Sequence, residues 1–212
     1  MININQSVRS NVPIILFVEL LFSFRSSVAD WYYVPTGSME PTIYVGDRVV
    51  VDKSAYTLEI PFTDVVLAKT GAVNRGDIVI INSHAADTRL IKRVVAVEGD
   101  TVRLEENRLS INGEKASVEA KGSSLFLEKI LGHTRTIALN PLPSPVKSFN
   151  SVTVPKGHVL ALGDNRNNSV DSRYYGFIPV EEIQGKANYV AFSLDTEDMY
   201  LPRKERFFTA LE

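Results

Sequence analysis

Two residue types in this chain pair into a recognisable piece of chemistry. Ser38 lies in Thr36-Gly37-Ser38-Met39-Glu40-Pro41-Thr42, and Lys92 lies in Leu90-Ile91-Lys92-Arg93-Val94-Val95. A serine between Gly and a Pro-stiffened turn suits a nucleophile, because Gly37 leaves room for a substrate backbone to approach. A lysine serves as its general base only if it is neutral. Its unperturbed pKa is roughly 10.4, and full burial lowers it by up to about 3–5 units. The strand-like run around Lys92 supplies that burial. With strand periodicity, Leu90, Lys92, Val94 and Ala96 share one face and Ile91, Arg93, Val95 and Val97 the other, both largely apolar. Arg93 cannot lose its proton and needs an acidic partner if buried. Asp164 and Asp171, accompanied by Arg166 and Arg173, offer an ion-pair network with a scaffolding role.

Other catalytic chemistries find less support. The chain has no cysteine, which excludes disulfides, thiolate nucleophiles and Cys-based zinc sites. His84, His133 and His158 are far apart and lack ligand spacing, so no metal or other cofactor is expected. A Ser-His-Asp triad stays open, since its members need not be close in sequence, but no histidine has a motif around it. A net charge of −2 gives no basic footprint for nucleic acid.

The elements that must hold Ser38 and Lys92 read as β-structure. At 212 residues, 44% hydrophobic and 23% charged, the chain suits one folded body. Strands are expected at 47–52, 78–82, 89–97, 101–105, 108–111, 152–154, 158–162 and 187–192. Asn112-Gly113 signals a hairpin and Gly99-Asp100 a bend. Residues 56–69 read as an extended ribbon, and beyond residue 30 only 180–184 hints at a helix. The chain divides into 1–30, a β core of 31–105 with 152–212, and an insertion at 106–151 in which Pro141-Leu142-Pro143-Ser144-Pro145 makes a stiff connection.

The amino-terminal segment supports several readings. Val12 to Phe24 is apolar except for Glu19 and Ser23, with Arg9 before it and Arg25 after it. A bilayer span needs roughly 20 apolar residues, so a run of 13 with an acid in its middle makes a marginal anchor. A cleaved signal, with small Ser27 and Ala29 at its end, a surface-lying helix and a core helix remain alternatives.

The motifs also carry a resemblance. Thr36 to Thr42 resembles the nucleophile box SGSMxPT of bacterial type I signal peptidases. Leu90 to Asp100 (LIKRVVAVEGD) resembles their lysine box, and Gly163 to Arg173 (GDNRNNSVDSR) their third signature. Gly76-Asp77-Ile78-Val79 fits the short box between. The match covers residues 25 to about 195. It implies a mainly β, signal-peptidase-like core with a small β insertion and an N-terminal membrane helix. It implies a membrane-bound serine endopeptidase that removes signal peptides from secreted preproteins, cutting after small residues at −3 and −1. Ser38 and Lys92 would be the dyad, Ser169 would hydrogen-bond and orient Lys92, and Thr36 would supply an oxyanion donor beside the Ser38 N–H. Arg25 and Asp30 match positions between anchor and serine box, and Met39 reads as packing.

The resemblance further implies signal peptides bound as extended strands along 33–38 and 87–92, contact with membrane lipid, and no nucleic acid. The enzyme would be a monomer in the cytoplasmic (inner) membrane, its catalytic domain facing the periplasm or outside. Alternatives are a specialised peptidase of the same clan, such as one processing conjugative pilins, and a non-catalytic, membrane-tethered peptide-binding module. A self-cleaving repressor would place a helix-turn-helix domain where this chain has 30 mostly apolar residues.

Overall fold

The backbone follows the alternation read from sequence. Our computed structural model describes residues 4–63, 65–141 and 146–211. Helix α1 (Ile4–Ser27) leads into β1 (Ala29–Tyr33) and β2 (Asp47–Asp52). In β2 the valines Val49 and Val51 face inward and are fully buried, while Arg48 and Val50 are only partly covered, as a half-buried strand requires. A ribbon of β3 (Thr57–Glu59) and β4 (Val66–Lys69) follows, where an extended ribbon is expected.

The centre of the fold is β5 (Ile78–Ser83) against β6 (Thr88–Val97), paired in unbroken antiparallel register from Ile78–Arg93 to Ser83–Thr88. Ile78 and Ile80 enter one hydrophobic cluster and Val79 and Ile81 another. Both faces are therefore covered, which is why the sequence of β5 reads as a continuous apolar run.

The chain then forms β7 (Thr101–Glu105), β8 (Arg108–Ile111) and β9 (Glu114–Lys115). Asn112 and Gly113 both take positive φ at the β8–β9 turn, the conformation that a two-residue hairpin demands. Next come β10 (Ser117–Ala120), β11 (Leu125–Ile130), β12 (His133–Ala138), β13 (Phe149–Thr153) and β14 (His158–Leu162). A four-residue helix α2 (Ser172–Tyr175), β15 (Ile178–Pro179) and the 13-residue β16 (Ile183–Asp195) complete the main elements. Residues 180–182 form one 3-10 turn, and the strand begins at Ile183.

The principal sheet runs β1-β2-β16-β5-β6-β14-β15, with Leu201–Pro202 and Thr209–Ala210 pairing to β16. A second sheet is β13-β7-β8-β9, and a third is β10-β11-β12. Residues 106–151 thus contribute to two sheets, and the β7–β8 hairpin crosses position 105.

A helix forms at the amino terminus, where one is expected, but its apolar part is short. Helix α1 has 24 residues, yet no helix among the described residues is long and apolar enough to cross a membrane. Helical hydrogen bonding continues through polar residues at both ends, but the apolar run stays at 13 residues with Glu19 inside it. At 1.5 Å per residue, such a run reaches about 20 Å, short of a hydrocarbon core of about 30 Å.

The third sheet is fastened to the rest by a charge cluster. Glu128 on β11 is fully buried and accepts from Arg166 Nη1 at 2.9 Å, Arg166 Nη2 at 2.6 Å and Arg135 Nε at 2.6 Å. Burial alone would push the Glu128 carboxyl up, but Arg166 and Arg135 overcome it and hold the pKa at about 2. Removing one partner of such a cluster strands buried charge at a cost of about 3–5 kcal/mol. Glu128→Ala should therefore lose about that much stability in urea unfolding at pH 7, far more than an exposed Glu119→Ala control.

Candidate functional site

The serine turn is set by local geometry. Gly37–Met39 form a single 3-10 turn after extended Thr36, and the Glu40–Pro41 peptide is cis. Met39 and Ile43 are completely buried beside Val34 and Val49, so Met39 is core packing that anchors the turn from below. Ser38 is itself only 7% exposed. Residues at the start of a helical turn have N–H groups without intrahelical acceptors, so the Ser38 N–H is available to a ligand.

Lys92 reaches that turn from the middle of β6. It is 3% exposed, and its Nζ donates to Ser38 Oγ at 2.8 Å and to the Ile91 carbonyl at 3.0 Å. Burial is the largest cause lowering its pKa from an ordinary 10.5 to about 8. Asp171 opposes this shift, Arg173 adds to it, and Asp164 opposes it weakly. Near that pH a substantial share of Lys92 is the neutral amine. Its lone pair can then take the Ser38 proton, while an N–H keeps its bond to the Ile91 carbonyl. None of the three histidines is a hydrogen-bond partner of Ser38, which leaves the Ser-His-Asp arrangement without geometry. Among the described residues no cluster of three or more His, Asp or Glu is placed to hold a metal ion.

The third signature surrounds the pair. Asp164 takes a two-pronged contact from Arg93, with Nε–Oδ1 at 2.9 Å and Nη2–Oδ2 at 2.8 Å. Asp171 takes another from Arg173, with Nε–Oδ1 and Nη2–Oδ2 both at 2.8 Å. Arg166, expected beside these aspartates, instead donates to Glu128 on β11. Ser169 also departs from expectation. Its hydroxyl donates to Asp171 Oδ2 at 2.8 Å, and the hydrogen bonds of Lys92 Nζ go to Ser38 and Ile91. A carboxylate is the stronger acceptor, so it captures the hydroxyl proton. Ser169 still stands at the site, because a Cβ built on Gly163 would collide with both the Ser169 hydroxyl and the Ser38 carbonyl oxygen. Gly163 is required there by close approach.

Thr36 is exposed at the rim, and its hydroxyl makes no cap bond to the turn it precedes. Two residues escaped the sequence reading. Thr42 Oγ1 donates to Asp164 Oδ2 at 2.6 Å, tying the serine box directly to the third signature. Asn165 donates its backbone N–H to the Ser38 carbonyl at 3.1 Å and its side-chain amide to the Gly37 carbonyl at 3.0 Å. Both residues belong to recognised boxes, so their motifs were visible but their partners were not.

Beside the dyad the sheet has an open edge. β5 pairs with Thr88–Arg93, whereas β14 covers only Arg93–Val97 of the opposite edge. Thr88–Lys92 therefore present an edge with no strand among the described residues. The Arg89 guanidinium lies 4.4 Å from the Tyr32 ring centre, so the end of β1 and the start of β6 stand together.

The sequence pattern of the family described as signal peptidase, peptidase S26, matches residues 4–192. A signal peptidase I from Pseudomonas aeruginosa is 34% identical over 193 residues, covering 82% of this chain and 67% of that protein. One from Bacillus amyloliquefaciens is 34% identical over 180 residues, covering 84% of this chain and 82% of that one. A crystal structure of a signal peptidase I from Enterococcus faecalis is 32% identical, covering 54% of this chain and 96% of that one, at a TM-score of 0.37.

The burial of Lys92 has a measurable consequence for stability. Its folded pKa lies below its unfolded value, so the unfolded chain holds the extra proton between pH 8 and 10.5 and stability rises with pH across that window. Below it the shift corresponds to a cost of about 3 kcal/mol. Lys92→Met should raise stability at pH 7 by about 2–3 kcal/mol, with the gap to wild type closing toward pH 10.5. Urea titrations of both proteins at several pH values check this, and a less stable variant at pH 7 contradicts it.

Proposed function

The chain belongs to the signal peptidase family, peptidase S26, and on that premise we propose that it removes signal peptides from preproteins with Ser38 as nucleophile and Lys92 as general base. The observation that carries this reading is the 2.8 Å contact between Lys92 Nζ and Ser38 Oγ in a site that holds the amine pKa near 8. Neutral Lys92 takes the hydroxyl proton as Ser38 attacks the scissile carbonyl, then returns it to the leaving amine. The Ser38 N–H and the exposed Thr36 hydroxyl supply two donors for the oxyanion. Arg93–Asp164 and Arg173–Asp171 hold the site's shape, and Ser169 keeps Asp171 in place.

The substrate adds a strand along the open edge of Thr88–Lys92, with residues 33–36 on its other side. Small side chains at −3 and −1 fit shallow pockets along this track. Residues 106–151 form an inserted unit whose β11 and β12 steady the third signature through Glu128 and Arg135.

The protein works at a membrane as a monomer, with the catalytic body on the outer side of the cytoplasmic membrane. Support comes from α1, where nine large apolar side chains from Val12 to Phe22 are exposed and lie on every side of the helix. So many exposed apolar side chains around one helix, interrupted only by Glu19 between Ile14 and Phe22, favour contact with lipid over open water.

Cleavage of a preprotein with an Ala-X-Ala site tests the mechanism. The reactive form is the neutral amine, so the rate should rise with pH through about 8 and level off above it. Ser38→Ala and Lys92→Met should abolish cleavage. Thr36→Val should lower kcat by about 10²–10³-fold while Thr36→Ser stays near wild type. Cleavage by Ser38→Ala would sink the assignment. For the membrane, the full chain should float with phospholipid vesicles in high salt, and a variant lacking residues 1–27 should not.

A further inference from the structure

The peptide unit that carries the Ser38 N–H is held at its opposite end. A peptide is planar with its C=O and N–H pointing apart, so the Gly37 carbonyl and the Ser38 N–H are two ends of one plate. Asn165 Nδ2 donates to that Gly37 carbonyl at 3.0 Å. The backbone N–H of Asn165 donates to the Ser38 carbonyl at 3.1 Å, which belongs to the next plate. One residue therefore fixes both peptide planes flanking the Cα of the proposed nucleophile. We propose that Asn165 is a positioning residue for the oxyanion donor: its side chain aims the Ser38 N–H and, by polarising the Gly37 carbonyl, strengthens it as a donor. The inference rests on the peptidase reading and deepens it.

Three features make the side chain more than loop scaffolding. Asn165 is 1% exposed, and its amide is a second donor on the Gly37 carbonyl beside the Glu40 N–H at 3.2 Å, which bonds it from within the turn. Its orientation is also dictated from behind, because Asn140 Nδ2 donates to Asn165 Oδ1 at 3.1 Å. A flipped amide would set oxygen against the Gly37 carbonyl and NH2 against NH2. The chain of amides extends further. Asn167 Nδ2 donates to the Asn140 carbonyl at 2.5 Å, and buried Asn107 Nδ2 donates to Asn167 Oδ1 at 3.0 Å. Asn107 and Asn167 thus brace Asn140 through its backbone carbonyl, and the amide series itself runs from the Asn140 side chain through Asn165 to the Gly37 carbonyl. Lastly, hydrogen bonds in series polarise one another, so the Asn140 bond to Asn165 Oδ1 strengthens Asn165 Nδ2 as a donor to the Gly37 carbonyl. The backbone bond to the Ser38 carbonyl survives any side-chain change at 165, which separates holding the loop from aiming the peptide.

Steady-state cleavage of the same preprotein, from pH 6 to 10, decides the matter with Asn165→Ala, Asn140→Ala and the double variant, each checked by thermal melting. The expected result for Asn165→Ala is a kcat lower by about 10–100-fold, part of what losing an oxyanion donor costs. KM should stay within about twofold and the pH midpoint should not move, since Lys92 is untouched. Asn140→Ala should lower kcat by about 3–10-fold. The double variant should be no worse than Asn165→Ala, because both changes act through one bond. A folded Asn165→Ala with wild-type kcat, a loss confined to KM, a shifted pH midpoint or fully additive losses would each overturn the proposal. If Asn165→Ala does not fold, an unchanged kcat in Asn140→Ala overturns it instead. Wild type as inert as Ser38→Ala would bring down the peptidase reading and this inference together, whereas active wild type with indifferent asparagine variants removes the inference alone.

Discussion

An ammonium group kept out of water is the constraint on which this structure turns. Lys92 gains nothing from burial as a cation, and every nearby carboxylate works to restore its charge. Asp171 and Asp164 both pull in that direction. Each of them, however, is already committed to an arginine through two hydrogen bonds, Asp164 to Arg93 and Asp171 to Arg173. A carboxylate so paired acts on a distant charge as a dipole rather than as a lone anion, and its field falls off faster. Desolvation therefore wins, and the amine titrates near 8. The two ion pairs do more than brace loops. They keep acids that the architecture needs from restoring the charge of the lysine proposed as the base.

That arrangement puts a heavy polar load in the interior. Arg93, Asp164, Arg166, Asp171, Arg135 and Glu128 are all buried. Such a network is tolerable only when its members are paired, and here Arg93–Asp164 and Arg166–Glu128 pair elements far apart in the chain while Arg173–Asp171 and Arg135–Glu128 are local. Thr42 joins the serine box to Asp164, Asn165 joins the serine turn to the third signature, and Glu128 joins that signature to β11. The loop from Gly163 to Arg173 has one short helix and one 3-10 turn to satisfy its own backbone. Its order comes from these side-chain bonds, which makes the third sheet a participant in the geometry of the serine although it lies outside the sheet that carries Lys92.

What could be read from sequence follows from the same physics. Alternation and β-branched runs record burial on one or two faces, so β2, β5, β6, β7, β8 and β14 were legible within a residue or so. Asn112-Gly113 was legible because positive φ restricts residue choice. Arg93 announced an acidic partner because a buried guanidinium has no neutral form. Glu128 gave no such warning, since an acid on an exposed-looking stretch reads as surface until Arg166 is placed over it. The amide relay was silent for a similar reason: asparagines at 107, 140, 165 and 167 have no spacing rule, and only the fold brings them together. Ser169 shows a subtler limit. Its presence at the site followed from the motif, but the destination of its proton depends on the fold bringing the Asp171 carboxylate, a strong acceptor, within reach. In α1, hydropathy reports the run that avoids water and not the length that is helical, so a largely apolar run of 13 residues sits inside a 24-residue helix.

A base of this kind also sets a condition on the rest of the chain. Domains of ordinary size are stable by about 5–15 kcal/mol, so a deficit of about 3 kcal/mol at one lysine is a sizeable fraction. The deficit must be offset where the chemistry does not reach. Three apolar clusters lie around the central β5–β6 pair, with Ile78, Ile80 and Ile91 in one, Val79, Ile81 and Val94 in another, and Val95, Ala96 and Leu162 in the third. Lys92 is flanked in its own strand by members of these clusters, so the residues that offset its burial are the ones that enforce it. A looser core would admit water to Nζ and restore its charge, so tight packing there serves stability and the proposed chemistry at once.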